Sequence, residues 1–170
     1  MLCHRRLGEE GVLEMMKLKK ILFPTDFSDM SRHSLKFVKA FAEKFDAEVH
    51  VLHVVDEAYQ YWMALGPNSL PVGPPPEEML AGAKTELQKL AGEELKSLKG
   101  GVVTEVSLGR PFLEIVRYAK EKSIDLIVLG THGRSGLAQA LLGSVAEKVV
   151  RKAPCPVLTV RDGAHEFVSP

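Results

Sequence analysis

A chain of 170 residues that is 45% hydrophobic and 26% charged has room for one domain with a real core and too little for two. Its formal net charge is zero, which excludes a whole-chain field for nucleic acid or an anionic membrane surface, and no apolar run approaches the ~20 residues of a membrane-spanning helix. The two cysteines, Cys3 and Cys155, make neither a disulfide framework nor a metal motif, so a reduced, cytoplasmic protein is expected, with Cys155 a packed thiol between Pro154 and Pro156.

The start of the chain carries scattered charges (Arg5, Arg6, Glu9, Glu10, Glu14) and no apolar signal core. Met15 and Met16 set the expected start of the domain, with what precedes them either a mis-called start or a loose extension. The expected division is an extension over 1–17, a domain over 18–162 and a polar tail over 163–170.

Lys19 to Phe23 reads as a buried first strand, ended by Pro24-Thr25-Asp26 because proline cannot continue a ladder. Ser28 or Ser31 then caps a helix in which Leu35, Val38, Phe41, Ala42 and Phe45 recur at helical spacing. Glu48 to Val55 is the second strand. His50 and His53 point to its opposite faces, which argues against a shared metal and for packed or edge histidines. Asp56 to Pro76 is irregular and rich in Gly and Pro; its Tyr59, Tyr61 and Trp62 either cover a ligand or partner surface or fold back on the core.

Glu77 to Lys99 forms a long amphipathic helix with Leu80, Ala83, Leu87, Leu90 and Leu98 along one side, stopped by Gly100-Gly101. Val102 to Leu108 alternates enough to be a strand near an edge. Gly109-Arg110-Pro111 turns into a helix to about Lys122, with Leu113, Val116 and Ala119 or Ile115 inward. Ile124 to Leu129 is the almost continuous apolar run of a strand buried on both faces. Behind it come Gly130-Thr131-His132-Gly133, then Gly143-Ser144, then a helix over Val145 to Ala153 with Val145, Val149 and Val150 on one side. Pro156 to Val160 is the fifth strand.

Strands alternating with helices long enough for parallel crossovers define an α/β fold, a doubly wound five-stranded parallel sheet of Rossmann-like type with expected order 3-2-1-4-5. The chain then reverses between strands one and four, and ligands of such sheets bind at that switch point. Strand end, glycine turn and helix start together suit a phosphate: glycine admits close backbone approach, and a helix N-terminus offers N–H donors and partial positive charge.

Gly130-x2-Gly133-x9-Gly143-Ser144 resembles the nucleotide-binding signature of the universal stress protein family, in its ATP-binding branch. The likeness runs from Lys19 to Arg161 and includes Ile21-Leu22-Phe23-Pro24-Thr25-Asp26-Phe27-Ser28, Leu52-His53-Val54-Val55-Asp56, Gly109-Arg110-Pro111, Asp125-Leu126-Ile127-Val128-Leu129-Gly130 and Ala153-Pro154-Cys155-Pro156-Val157-Leu158. The resemblance implies the adenine nucleotide alpha hydrolase-like architecture. It implies that Pro24, Thr25 and Asp26 face ribose and adenine, that Val54, Leu129 and the Gly130 backbone flank adenine, and that Gly133, Arg134, Gly143, Ser144 and Val145 surround the phosphates. His132 either contacts phosphate or satisfies its turn. Ala146 departs from the family, whose ATP-binding members often carry a hydroxyl there.

The expected cofactor is ATP with magnesium or manganese, and the resemblance implies a homodimer through residues 156–160. There is no Gly-x4-Gly-Lys-Ser/Thr, no Gly-x-Ser-x-Gly and no His-Glu-x-x-His, so binding with slow or absent hydrolysis is the expectation. The alternatives are an ATPase or nucleotidyl-transfer enzyme of the same architecture, which would need a base or metal pair, and a scaffold without nucleotide, which the intact glycine signature argues against.

Overall fold

Strands β1 (Lys20–Pro24), β2 (Glu48–Asp56), β3 (Val102–Gly109), β4 (Leu126–Gly130) and β5 (Val157–Val160) form one sheet in the order β3-β2-β1-β4-β5, with every pairing parallel. This is the expected order. The computed structural model describes residues 18–56, 74–131 and 143–161. Helices α1 (Asp29–Phe45), α2 (Pro76–Leu90), α3 (Pro111–Glu121) and α4 (Ser144–Lys152) cover the two faces.

Alternate side chains of the central strands feed two separate cores, as a strand buried on both faces requires. Ile21, Phe23, Val49 and Val51 meet Leu35, Val38 and Ala42 of α1 and Leu87 and Leu90 of α2. Leu22, Leu52, Ile127 and Leu129 meet Ile115, Tyr118 and Ala119 of α3 and Ala146 and Val149 of α4. His50 and His53 fall on opposite faces of β2, and both are buried.

The second long helix is not one uniform helix to Lys99: after Leu90 it makes a π turn, Ala91–Leu95. Continuing the regular period from Leu87 and Leu90 would carry Glu94 into the core stripe. The extra residue of the π turn places Leu95 there, fully buried, and leaves Glu94 to pair with Lys39 of α1. Two other inward assignments change. Leu113 and Val150 are exposed, and in α3 it is Ile115, Tyr118 and Ala119 that face the sheet, with Val116 only half-buried. Of Val145, Val149 and Val150 in α4, Val149 is buried and Val145 packs partly against the second core.

Two details hold the amino end of the sheet. The Asp125 carboxylate accepts the N–H groups of Lys19 and Lys20 at 2.8 and 2.9 Å, tying the start of β4 to the start of β1. At Gly100 a Cβ would lie 2.3 Å from the Ala47 carbonyl oxygen, so this residue must be glycine for the chain to pass the start of β2.

Candidate functional site

The strand order reverses between β1 and β4, the place where a sheet of this kind forms a crevice. The two strands pair through Ile21 with Leu126 and Leu22 with Ile127. Beyond them each chain turns toward its other neighbour: the Thr25 N–H donates to the Leu52 carbonyl of β2 at 2.9 Å, and the Thr131 N–H donates to the Val160 carbonyl of β5 at 2.8 Å. The first chain then enters α1 over one face and the second leads to α4 over the other, which makes the carboxyl ends of β1 and β4 the switch point of the sheet.

The start of α4 is brought back to the end of β4 by one hydrogen bond. The Gly143 N–H donates to the Thr131 carbonyl oxygen at 2.6 Å. Gly143 is the N-cap, in an extended conformation, and has no side chain to cap the helix. The first helical bond is Glu147 N–H to the Gly143 carbonyl, so the N–H groups of Ser144, Val145 and Ala146 have no acceptor inside α4. An anion at this end would meet backbone donors and the positive end of the helix dipole.

Pro24, Thr25, Asp26, Val54, Leu129, Gly130, Gly143, Ser144 and Val145 all stand at this carboxyl edge. Val54, Leu129 and Val145 are drawn together on the second core, Leu129 buried and the two valines half-buried. Ser144 is exposed at the first position of α4. His132, Gly133 and Arg134 lie outside the described residues, as do Tyr59, Tyr61 and Trp62. Ala146 is buried among apolar side chains of the second core.

Local hydrogen bonds fix the loop after β1. Asp26 Oδ1 accepts from the N–H of Ser28 at 3.1 Å and from its hydroxyl at 2.6 Å, which sets the carboxylate's orientation. Of the two expected caps, Ser28 and Ser31, Ser28 is the N-cap of α1 and accepts the Ser31 N–H through Oγ. Thr25 is buried, with Oγ1 accepting from the Phe27 N–H at 3.1 Å and the Ser31 hydroxyl at 2.7 Å, so its side chain serves the loop and α1.

The sequence offers His53 as a packed or edge histidine and Phe27 only as a member of the family-like stretch Ile21 to Ser28. The structure places both in the loop's support: His53 Nδ1 lies 2.8 Å from the Thr25 carbonyl oxygen, and its ring stacks on Phe27. Their signal in the sequence is their place in the two family-like stretches, beside Asp26 and Val54. Two surface grooves lie between β3 and α3 at Glu105, Ser107 and Tyr118, and between α1 and α2 at Phe27, Arg32, Lys36 and Glu93.

No group of three or more His, Cys, Asp or Glu residues suited to a metal ion occurs among the described residues. None of the described helices is long and apolar enough to cross a membrane. The Cys155 thiol is half-buried against the second core, and burial, with Asp125 nearby, pushes its pKa up.

A doubly wound parallel sheet with a switch point between β1 and β4 and a helix N-terminus at that edge defines the Rossmann-like class of α/β proteins. Residues 17–161 match the model of the Universal stress protein family. Universal stress protein MJ0531 of Methanocaldococcus jannaschii is 42% identical over 159 residues, which span 87% of this chain and 85% of that protein. The chain belongs to the universal stress protein family. Universal stress protein UspA from Lactobacillus plantarum has a similar structure, with a TM-score of 0.69 and 29% identity over 85% of this chain and 99% of that one. A universal stress protein in complex with cAMP shares the fold at greater distance, with 21% identity and a TM-score of 0.63 over 86% of this chain and 99% of that one.

Proposed function

We propose that this protein binds an adenine nucleotide, ATP with magnesium or manganese, in the crevice between β1 and β4, and acts as a cytoplasmic homodimer in stress signalling with slow or absent hydrolysis. The observation that carries the reading is the Gly143 N–H to Thr131 carbonyl bond, which sets an uncapped helix start at the end of β4. Phosphates there would meet the backbone of Gly143, Ser144 and Val145 and the Ser144 hydroxyl. Gly133, Arg134 and His132 would close the same cradle from the loop ahead of α4, Arg134 as a charge-assisted donor. The base would lie against Val54, with Leu129 and the Gly130 backbone beside it, and the ribose toward Asp26 and Pro24. The metal ion would arrive with the phosphates and neutralise part of their charge.

Titration calorimetry of the full chain with magnesium and ATP, together with the nucleotide content of acid-denatured protein, tests the reading. Gly143 has an ordinary negative φ, so valine is compatible with its backbone conformation. Gly143→Val is expected to weaken ATP binding by more than about tenfold with an unchanged circular dichroism spectrum. Wild-type affinity in that variant would remove the phosphate cradle from α4.

A further inference from the structure

We infer that His53 is the positioning residue for the loop that carries Asp26, acting through the proton on Nδ1. The main-chain ladder between β1 and β2 ends with Pro24 opposite Leu52. One more bond follows, Thr25 N–H to the Leu52 carbonyl, and then the chain leaves the sheet. A parallel ladder that went on would next offer the Thr25 carbonyl a main-chain donor from β2. The imidazole of His53 supplies that donor instead, at 2.8 Å. A carbonyl only accepts, so Nδ1 carries the hydrogen. Thr25 and His53 are both buried, and a carbonyl there left without a donor is costly.

The same ring holds the residue after Asp26. Phe27 has φ 62°, a left-handed conformation rarely taken by a bulky side chain. Its ring lies on the imidazole with centroids 4.5 Å apart and planes at 28°, and its N–H is held by Thr25 Oγ1. Asp26 is therefore fixed on both sides, by Thr25 hydrogen-bonded to His53 and by Phe27 stacked on it. The imidazole lets β1 turn out of the sheet at the switch point without leaving a buried carbonyl unpaired, and that turn directs Asp26 to the crevice edge.

The consequence for ligand binding rests on the nucleotide reading above, and the test separates the two. His53→Asn keeps an N–H donor at the δ position without the ring; His53→Phe keeps a ring without the donor. Measured with the full chain, magnesium and ATP, His53→Phe is expected to lose roughly tenfold in affinity, and His53→Asn no more than about threefold. In the nucleotide-free protein, long-range 15N–1H spectra, assigned by the signal lost in His53→Asn, are expected to show the Nδ1–H form of His53. Amide exchange at Phe27 and Ser28 is expected to quicken in His53→Phe alone. Equal affinity in His53→Phe and wild type, equal losses in both variants, or a neutral His53 carrying its proton on Nε2 would each overturn the inference. A wild type that takes no nucleotide would overturn the binding reading, and the tautomer and exchange data would still decide whether His53 holds the loop. Should His53→Phe not fold, the His53→Asn affinity and the tautomer decide.

Discussion

The Tyr118 hydroxyl on α3 donates to Nδ1 of His50 on β2 at 2.9 Å, while Glu48 Oε1 accepts from Nε2 at 2.8 Å. A neutral imidazole protonated on Nε2 satisfies both contacts, the opposite tautomer to that of His53. Burial lowers the His50 pKa below its ordinary value and outweighs the raising effect of Glu48; Lys20 and Lys122 lower it further. Burial also pushes Tyr118 up to about 12, helped by Glu105 and Glu48.

This pair makes stability depend on pH in a stated direction. The unfolded chain protonates His50 at its ordinary value near 6.5, before the folded protein does. Stability is therefore complete above that pH and falls as pH drops toward the lower folded value, with a slope of at most about 1.4 kcal/mol per pH unit. Urea unfolding of wild type and His50→Gln between pH 8 and 5 measures it. The variant should be less stable at pH 8 and should show a shallower decline, since it has no proton to bind there. Identical slopes would mean that other groups set the pH dependence.

The glycines after the π turn differ in what they do, although the sequence offers both as one helix stop. At Gly101 φ is +89° and an added Cβ meets nothing within 4 Å; at Gly100 it would strike the Ala47 main chain. Gly100→Ala should cost on the order of 2–4 kcal/mol, because the obstacle is backbone and cannot rotate away. Gly101→Ala should cost about 1 kcal/mol, from its conformation alone. Denaturant midpoints of the two variants test the order, and a Gly101→Ala loss equal to or larger than that of Gly100→Ala would contradict it.

These cases show which parts of the molecule were legible in the sequence. The parallel, doubly wound class followed from alternation and crossover length, because a strand buried on both faces leaves an apolar run that few other contexts permit. Which side of a helix faces inward was less legible. Leu113 and Tyr118 fit different faces of α3, and Tyr118 is inward because its hydroxyl finds His50 across the interface, a partner 68 residues away in the chain. The glycine and serine positions of the candidate site could be read from spacing. His53 and Phe27 could not: the first depends on a tertiary acceptor and the second adopts a conformation its residue type disfavours.

Chemistry at the crevice should be slow. The sequence has no P-loop lysine, and Asp26, the carboxylate expected at the crevice, has Oδ1 already engaged by Ser28. Phosphate release from magnesium and ATP is expected far below the ~1–10³ s⁻¹ usual for enzymes. Steady-state turnover in that range, retained through purification and lost in Gly143→Val, would establish an ATPase instead.

Assembly is expected at β5. Both β3 and β5 end the sheet, but β3 carries exposed Glu105 in its middle, whereas Val157–Val160 contains no charge. A charged edge resists pairing and an uncharged one invites it. The main-chain groups of β5 divide cleanly. Pro156 and Val160 turn their carbonyls to Ile127 and Thr131 on the β4 side, so by alternation Val157 and Thr159 turn N–H and C=O to the open side. Val157 and Leu158 both pack partly against the cores, so a charge at Val157 or a proline at Leu158 would harm the monomer as well as an interface. Thr159→Pro removes an outward N–H and leaves the β4 ladder its donors, which makes it the cleaner variant. Two copies joined edge to edge about a two-fold axis would lose a repeated hydrogen bond on each side. Sedimentation equilibrium at tens of micromolar is expected to give a dimer for wild type and a folded monomer for Thr159→Pro. A monomeric wild type, or a Thr159→Pro variant as dimeric as wild type, would place any subunit contact away from this edge.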